Sequence, residues 1–139
     1  MESFKVEKEF KHAKVYTVPS SPNTAIVEAL TNYIPLIPFK EIFEYIGVLA
    51  KEKKLKKLIF DKRKLSIFNQ PSMEWYFIEW KEKMYDQGLT IHRKILPTDD
   101  VFRQSVRIGR EKINKNFPDK KYNKMDIQYA ETIEEALLK

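Results

Sequence analysis

Apolar and polar positions alternate in the first third of the chain; further on, the apolar ones recur in steps of three and four. Phe4 and Val6, then Lys14-Val15-Tyr16-Thr17-Val18, have the two-residue period of strands. The cluster Pro19-Ser20-Ser21-Pro22-Asn23 predicts a turn, and residues 24–30 read as another strand, with a helical turn as the alternative. Pro35 and Pro38 interrupt regular structure before a helix over residues 38–53, with Pro38 suited to its first turn. Phe39, Ile42, Phe43, Ile46, Leu49 and Ala50 form its apolar stripe. Next comes Leu58-Ile59-Phe60-Asp61, the unbroken apolar run of a strand covered on both faces, ending in an acid.

The alternation continues. Pro71 opens a second helix that Gly88 stops. Residues 89–96 form a strand ended by Pro97. Thr98 is placed to cap a third helix reaching residue 116, with Asp99 and Asp100 in its first turn. Residues 125–130 make a last strand, and Thr132-Ile133-Glu134-Glu135 has the spacing of a capping box opening a short helix. Strands first, then helix and strand three times over, predict an α/β fold in one domain spanning residues 1–139. The sheet is mixed, antiparallel at its N-terminal side and parallel in its later strands.

Two helices carry more than their packing stripe. On the second, Met73, Tyr76, Phe77, Trp80 and Met84 share the core face, yet Trp75, Ile78 and Tyr85 fall opposite, where polar residues belong. Either a neighbouring element covers them or they form an exposed patch for a partner or ligand. On the third, Phe102, Val106, Gly109 and Ile113 trace the core face, and Gly109 permits close approach to the sheet. Arg103, Arg107 and Arg110 run beside that face as a row able to hold a phosphate or carboxylate, or to form an ordinary solvated surface.

Composition narrows the chemistry. The chain has 139 residues and no cysteine, so disulfides, thiol catalysis and thiolate metal sites are excluded. No apolar run is long enough to span a bilayer, and the charged start Met1-Glu2-Ser3-Phe4-Lys5 lacks a signal-peptide core, so a cytoplasmic location is expected. The formal charge of +6 balances 26 basic against 20 acidic residues, and lysines gather at 51–57, 62–64 and 112–124. Helix capping and solubility account for most of them, which makes nucleic-acid binding a minor expectation.

Catalytic candidates are few. His12 and His92 have no metal-ligand spacing, and no phosphate loop, nucleophile elbow or dinucleotide fingerprint occurs. Leu89, Ile91 and Ile95 are expected on one face of their strand, which turns His92 to solvent or to a helix edge. No cofactor is expected. Asp61, at the carboxyl end of a buried strand, lies where ligands of open α/β sheets bind. It would either join such a site or accept bonds from the following loop and pair with Lys62 or Arg63.

The strand Leu58-Ile59-Phe60-Asp61 after its helix, the strand over residues 89–96 and the short helix after Tyr129-Ala130 resemble the SpoIIAA-like superfamily, which includes STAS and CRAL-TRIO domains. The resemblance implies a mixed sheet with helices mainly on one face. It also implies protein–protein regulation, as in STAS domains, or apolar-ligand binding, as in CRAL-TRIO ones. STAS antagonists open the helix after the central strand with a phosphorylated D-S-S-G-like motif. Here the region reads Phe68-Asn69-Gln70-Pro71-Ser72-Met73, with Ser72 near the right place but no acid, second serine or glycine.

The expectation is a small non-enzymatic module acting through a protein partner or self-association. Its surface would comprise Asp61, Arg63, Ser66 and Ser72 with Trp75, Ile78 and Tyr85. One alternative is a small apolar or anionic ligand in a CRAL-TRIO-like pocket between the second helix and residues 19–38, with Arg103, Arg107 and Arg110 holding the anion. A basic nucleic-acid-binding module is the other.

Overall fold

The computed structural model describes residues 3–139; Met1 and Glu2, and with them the start of the charged N-terminal segment, lie outside the described residues. Six strands form one mixed sheet in chain order: β1 (Lys5–Glu9), β2 (Ala13–Val18), β3 (Ser21–Ala29), β4 (Lys57–Asp61), β5 (Ile91–Ile95) and β6 (Asp126–Tyr129). The first three pair antiparallel and the last four parallel, as the pattern predicts. Each parallel neighbour is reached through a helical crossover. These are α1 (Leu36–Lys53), then α2 (Gln70–Trp75) running through a π turn (Tyr76–Trp80) into α3 (Lys81–Gln87), then α4 (Asp100–Asn116). A short α5 (Ile133–Leu138) ends the chain.

The sheet separates two unequal cores. One face carries α1, α2, α3 and α4 over Val15, Val27, Leu58 and Phe60. Aromatic rings fill its centre, with Phe43 packed on Phe60 at 5.2 Å and Trp80 donating from Nε1 to the Phe43 carbonyl at 2.6 Å. The other face holds Val18, Ile26, Ile59 and Ile95 under Ala136, Ile133 and Leu137 of α5. Helices therefore lie mainly on one side.

Local signals act within a residue or two of where the pattern places them. The turn is confined to Pro19 and Ser20, because Ser21 already pairs with Val18, and Pro22 has no partner in either neighbouring register. Asp99, not Thr98, caps α4, its Oδ1 accepting from the Val101 and Phe102 amides. Thr132 caps α5 by accepting from the Glu135 amide, while Glu135 reaches back to the Glu131 amide.

Gly109 does permit a close approach, but to α2 and the loop before it rather than to the sheet. A Cβ there would meet Gln70 Oε1 at 2.5 Å, Met73 Sδ at 2.9 Å and Phe68 Cζ at 2.9 Å. Gly109→Ala is therefore expected to destabilise by about 1–3 kcal/mol through overpacking, despite alanine's better helix propensity. Urea unfolding measures it, and an unchanged or raised midpoint would show that those three side chains yield freely.

Candidate functional site

Parallel strands covered on both faces are normally apolar throughout. Strand β5 is not. Between Ile91 and Ile95 it carries His92, Arg93 and Lys94, none more than 1% exposed. Alternation sends His92 and Lys94 under the α1–α4 layer and Arg93 to the opposite face. Lys81, at the end of the π turn, and Lys62, directly after β4, are buried in the same layer. π turns recur at functional sites, and this one presents Tyr76 and Phe77 beneath the amines.

Each cation meets rings rather than carboxylates. Lys94 Nζ lies 4.2 Å from the Phe77 ring centre and 5.4 Å from that of Tyr76, with no hydrogen-bond partner. Lys81 Nζ lies 4.5 Å from the centre of Tyr76 and 4.8 Å from that of Phe77. Lys62 Nζ sits 4.9 Å over Phe60. The Arg110 guanidinium shares the Phe77 ring at 4.5 Å, and its buried Nε has no partner. Cation–π contact offsets only part of the desolvation of an amine.

His92 corrects the expectation that it faces solvent or a helix edge. Leu89 belongs to the helix-side core and Ile95 to the other, so they do not share a face, and His92 is buried beside Leu89. Its Nε2 lies 2.8 Å from the Leu89 carbonyl and its Nδ1 2.7 Å from Lys81 Nζ. A carbonyl only accepts, so Nε2 carries the proton and Nδ1 accepts from Lys81. The ring is neutral, and burial followed by the Lys81 charge holds its pKa well below the ordinary value.

Burial is the first cause of the depressed lysine pKa values, and the cations' mutual repulsion is the second. Lys81 and Lys94 fall well below the free-lysine range, while Lys62, repelled by Arg110, falls to about 8. Tyr76 is the other titratable group beside them, and burial pushes it up. From pH 8 towards 10 the unfolded chain keeps protons that the folded lysines lack, so stability rises with pH there; below pH 8 the Lys62 penalty is fully present. Each such lysine contributes about 1 kcal/mol per pH unit. Urea unfolding between pH 8 and 9.5, below tyrosine ionisation, is expected to show this rise, and Lys62→Met to flatten it by about one lysine's share. A flat wild-type profile would mean that the lysines titrate normally.

The arginine row opens onto this layer. Arg103, Arg107 and Arg110 together line a cleft of about 500 Å³ between α4 and the carboxyl ends of β5 and β6, closed by Leu96, Tyr129 and Ala130. Arg103 is held by its Nε bond to the Pro97 carbonyl at 2.6 Å and lies 3.8 Å from Glu131. Arg107 is exposed, and Arg110 bridges the cleft and the buried amines. Among the described residues Glu111 and Glu131 are the carboxylates lining it.

The other expected residues divide. Asp61 is buried on the α5 face, where Arg63 donates to it from Nε at 2.9 Å, Nη2 at 2.7 Å and its amide at 3.1 Å. Ser66 is exposed, and Ser72 is buried. Trp75, Ile78 and Tyr85 are half-buried and packed on the helix-side core. Trp75 stands edge-on to Phe39 at 6.1 Å under Lys40, and Tyr85 lies under Lys121. His12 bonds Thr31 at 2.8 Å near the N-terminal hairpin, far along the sheet from this layer.

Among the described residues no group of acids and histidines has the arrangement of a metal site, and no helix is long and apolar enough to cross a membrane. No protein-family model, curated protein or solved structure matches the chain.

Proposed function

We propose that this chain is a non-enzymatic, SpoIIAA-like cytoplasmic module that binds a small polyanion, a phosphate-bearing molecule, in the Arg103–Arg107–Arg110 cleft. One observation carries this reading: Arg110 and the amines behind it form a layer of cations whose charge no buried carboxylate among the described residues answers. A multiply charged ligand supplies the missing charge, and planar guanidinium groups grip tetrahedral oxyanions through paired donors. The cleft also lies at the carboxyl ends of parallel strands, where open α/β sheets bind ligands.

Calorimetric titration with inorganic pyrophosphate tests it. Arg107→Ala is expected to weaken binding about 10- to 100-fold, the loss of charge-assisted hydrogen bonds, while the exposed position leaves the fold intact. Absence of binding to the wild type at low salt, or equal binding by Arg107→Ala, overturns the proposal.

A second reading keeps a protein partner. Trp75 and Ile78 line a shallow groove of about 320 Å³ between α1 and α2, rimmed by Lys40, Glu74 and Glu79, which suits an apolar side chain ringed by polar contacts. Light scattering on the wild type and on Trp75→Ala/Ile78→Ser tests self-association through it. A wild-type dimer converted to a folded monomer supports that use; a wild-type monomer removes self-association.

A further inference from the structure

A second concavity lies apart from the arginine cleft, beneath the loop that links β4 to α2. Its volume is about 50 Å³, roughly two water volumes, and it opens to one side. Apolar groups make most of its wall, among them Phe39, Phe68, Met73 and Phe102. No carboxylate lines it, and Lys62 is its one cation.

One polar atom in this wall is unsatisfied, and one amine has no acid beside it. Ser72 is 4% exposed and its Oγ has no partner, although its own amide donates to Asn69 Oδ1 at 3.2 Å. Lys62 is 9% exposed, and its ammonium rests on the Phe60 ring with no acidic partner among the described residues. A buried hydroxyl without a partner is destabilising, and so is an amine taken largely out of water. Water would satisfy the hydroxyl but leave the positive charge unanswered.

We propose that this cavity binds a short-chain monocarboxylate, the carboxylate taken by Lys62 Nζ and Ser72 Oγ and the alkyl tail lying among Phe39, Phe68 and Met73. One cation and one hydroxyl match a single negative charge, in contrast to the three guanidinium groups of the cleft. The aromatic and thioether wall encloses space for the single methyl of acetate, and longer tails extend through the open side. Lys62 belongs to the cation layer behind the cleft, but none of the three arginines lines this cavity, so Arg107→Ala tells the two sites apart.

The test is a ¹H–¹⁵N and methyl NMR titration with acetate, propionate and butyrate, with propionamide as the neutral isostere. The expected result is saturable shifts at Ser72, Met73 and Phe68 with each carboxylate and none with propionamide. Lys62→Met should abolish them, and Ser72→Ala should weaken binding about tenfold while keeping the native spectrum. Arg107→Ala should bind the carboxylates as the wild type does. Three outcomes would overturn the proposal: no shifts at 50 mM carboxylate, propionamide binding equally well, or binding lost in Arg107→Ala but kept in Lys62→Met. The last would place the carboxylate in the arginine cleft.

Discussion

Lys94→Met is expected to stabilise the protein by about 2 kcal/mol while weakening its hold on pyrophosphate. Lys94 is fully buried, its Nζ has no hydrogen-bond partner, and its nearest charges are the cations Lys81, Lys62 and Arg110. Methionine matches the length of the stem and keeps contact with Phe77 without desolvating an amine. Replacing buried ionic groups by apolar ones of similar volume gains about 1–4 kcal/mol. Such a residue is hard to explain by folding alone, and stability given up at a functional site is a familiar trade. Urea unfolding measures the first half and calorimetry the second. If Lys94→Met destabilises, the amine has a partner within the fold and the uncompensated-cation account is wrong.

Arg93→Met, one residue away, is expected to do the reverse and destabilise by about 3 kcal/mol. Arg93 is as deeply buried but points to the other face, and its guanidinium is answered at both Nη atoms, its Nε alone lacking a partner among the described residues. Nη1 donates to the His92 carbonyl at 3.1 Å and the Asp126 carbonyl at 3.0 Å; Nη2 donates to Asp126 Oδ2 at 3.0 Å and the Lys139 carbonyl at 2.8 Å. This one side chain thus ties β5 to the start of β6 and to the end of α5. The same contact holds the Asp126 carboxyl below its ordinary range. Without it, β6, a four-residue strand at the sheet edge, and α5 should lose hydrogen-exchange protection first. Uniform loss of protection across the sheet would instead mean that Arg93 supports the whole fold equally.

The contrast between these neighbours marks how far the sequence could be read. Hydrophobic period placed the crossover helices and the central strands, because the Phe39–Ala50 stripe and the Leu58–Phe60 run each match one geometry, while residues 24–30 fitted either a strand or a helical turn until pairing made them part of β3. It placed the arginine row too, since Arg103, Arg107 and Arg110 fall on one side of α4 by helical spacing alone. It did not reveal Lys62, Lys81, His92 and Lys94 as a layer, because they come from three elements and meet only in space. One signal was present. A strand read as parallel, and so covered on both faces, contained His92-Arg93-Lys94, three residues that such a strand should not hold. The same limit applied on the second helix: period alone left open whether Trp75, Ile78 and Tyr85 are covered, and Phe39, Lys40 and Lys121 of other elements lie against them.

On the proposed reading, the buried amines lack a counter-charge because the cleft receives one. NMR titration of the Lys94 side chain, read at its Cε and Nζ resonances with and without saturating pyrophosphate, tests this most directly. The expected result is a midpoint well below that of free lysine in the unliganded protein, and an upward move when the anion neutralises Arg110. A Lys94 that titrates as an ordinary lysine, or whose midpoint stays fixed while pyrophosphate binds, would contradict it.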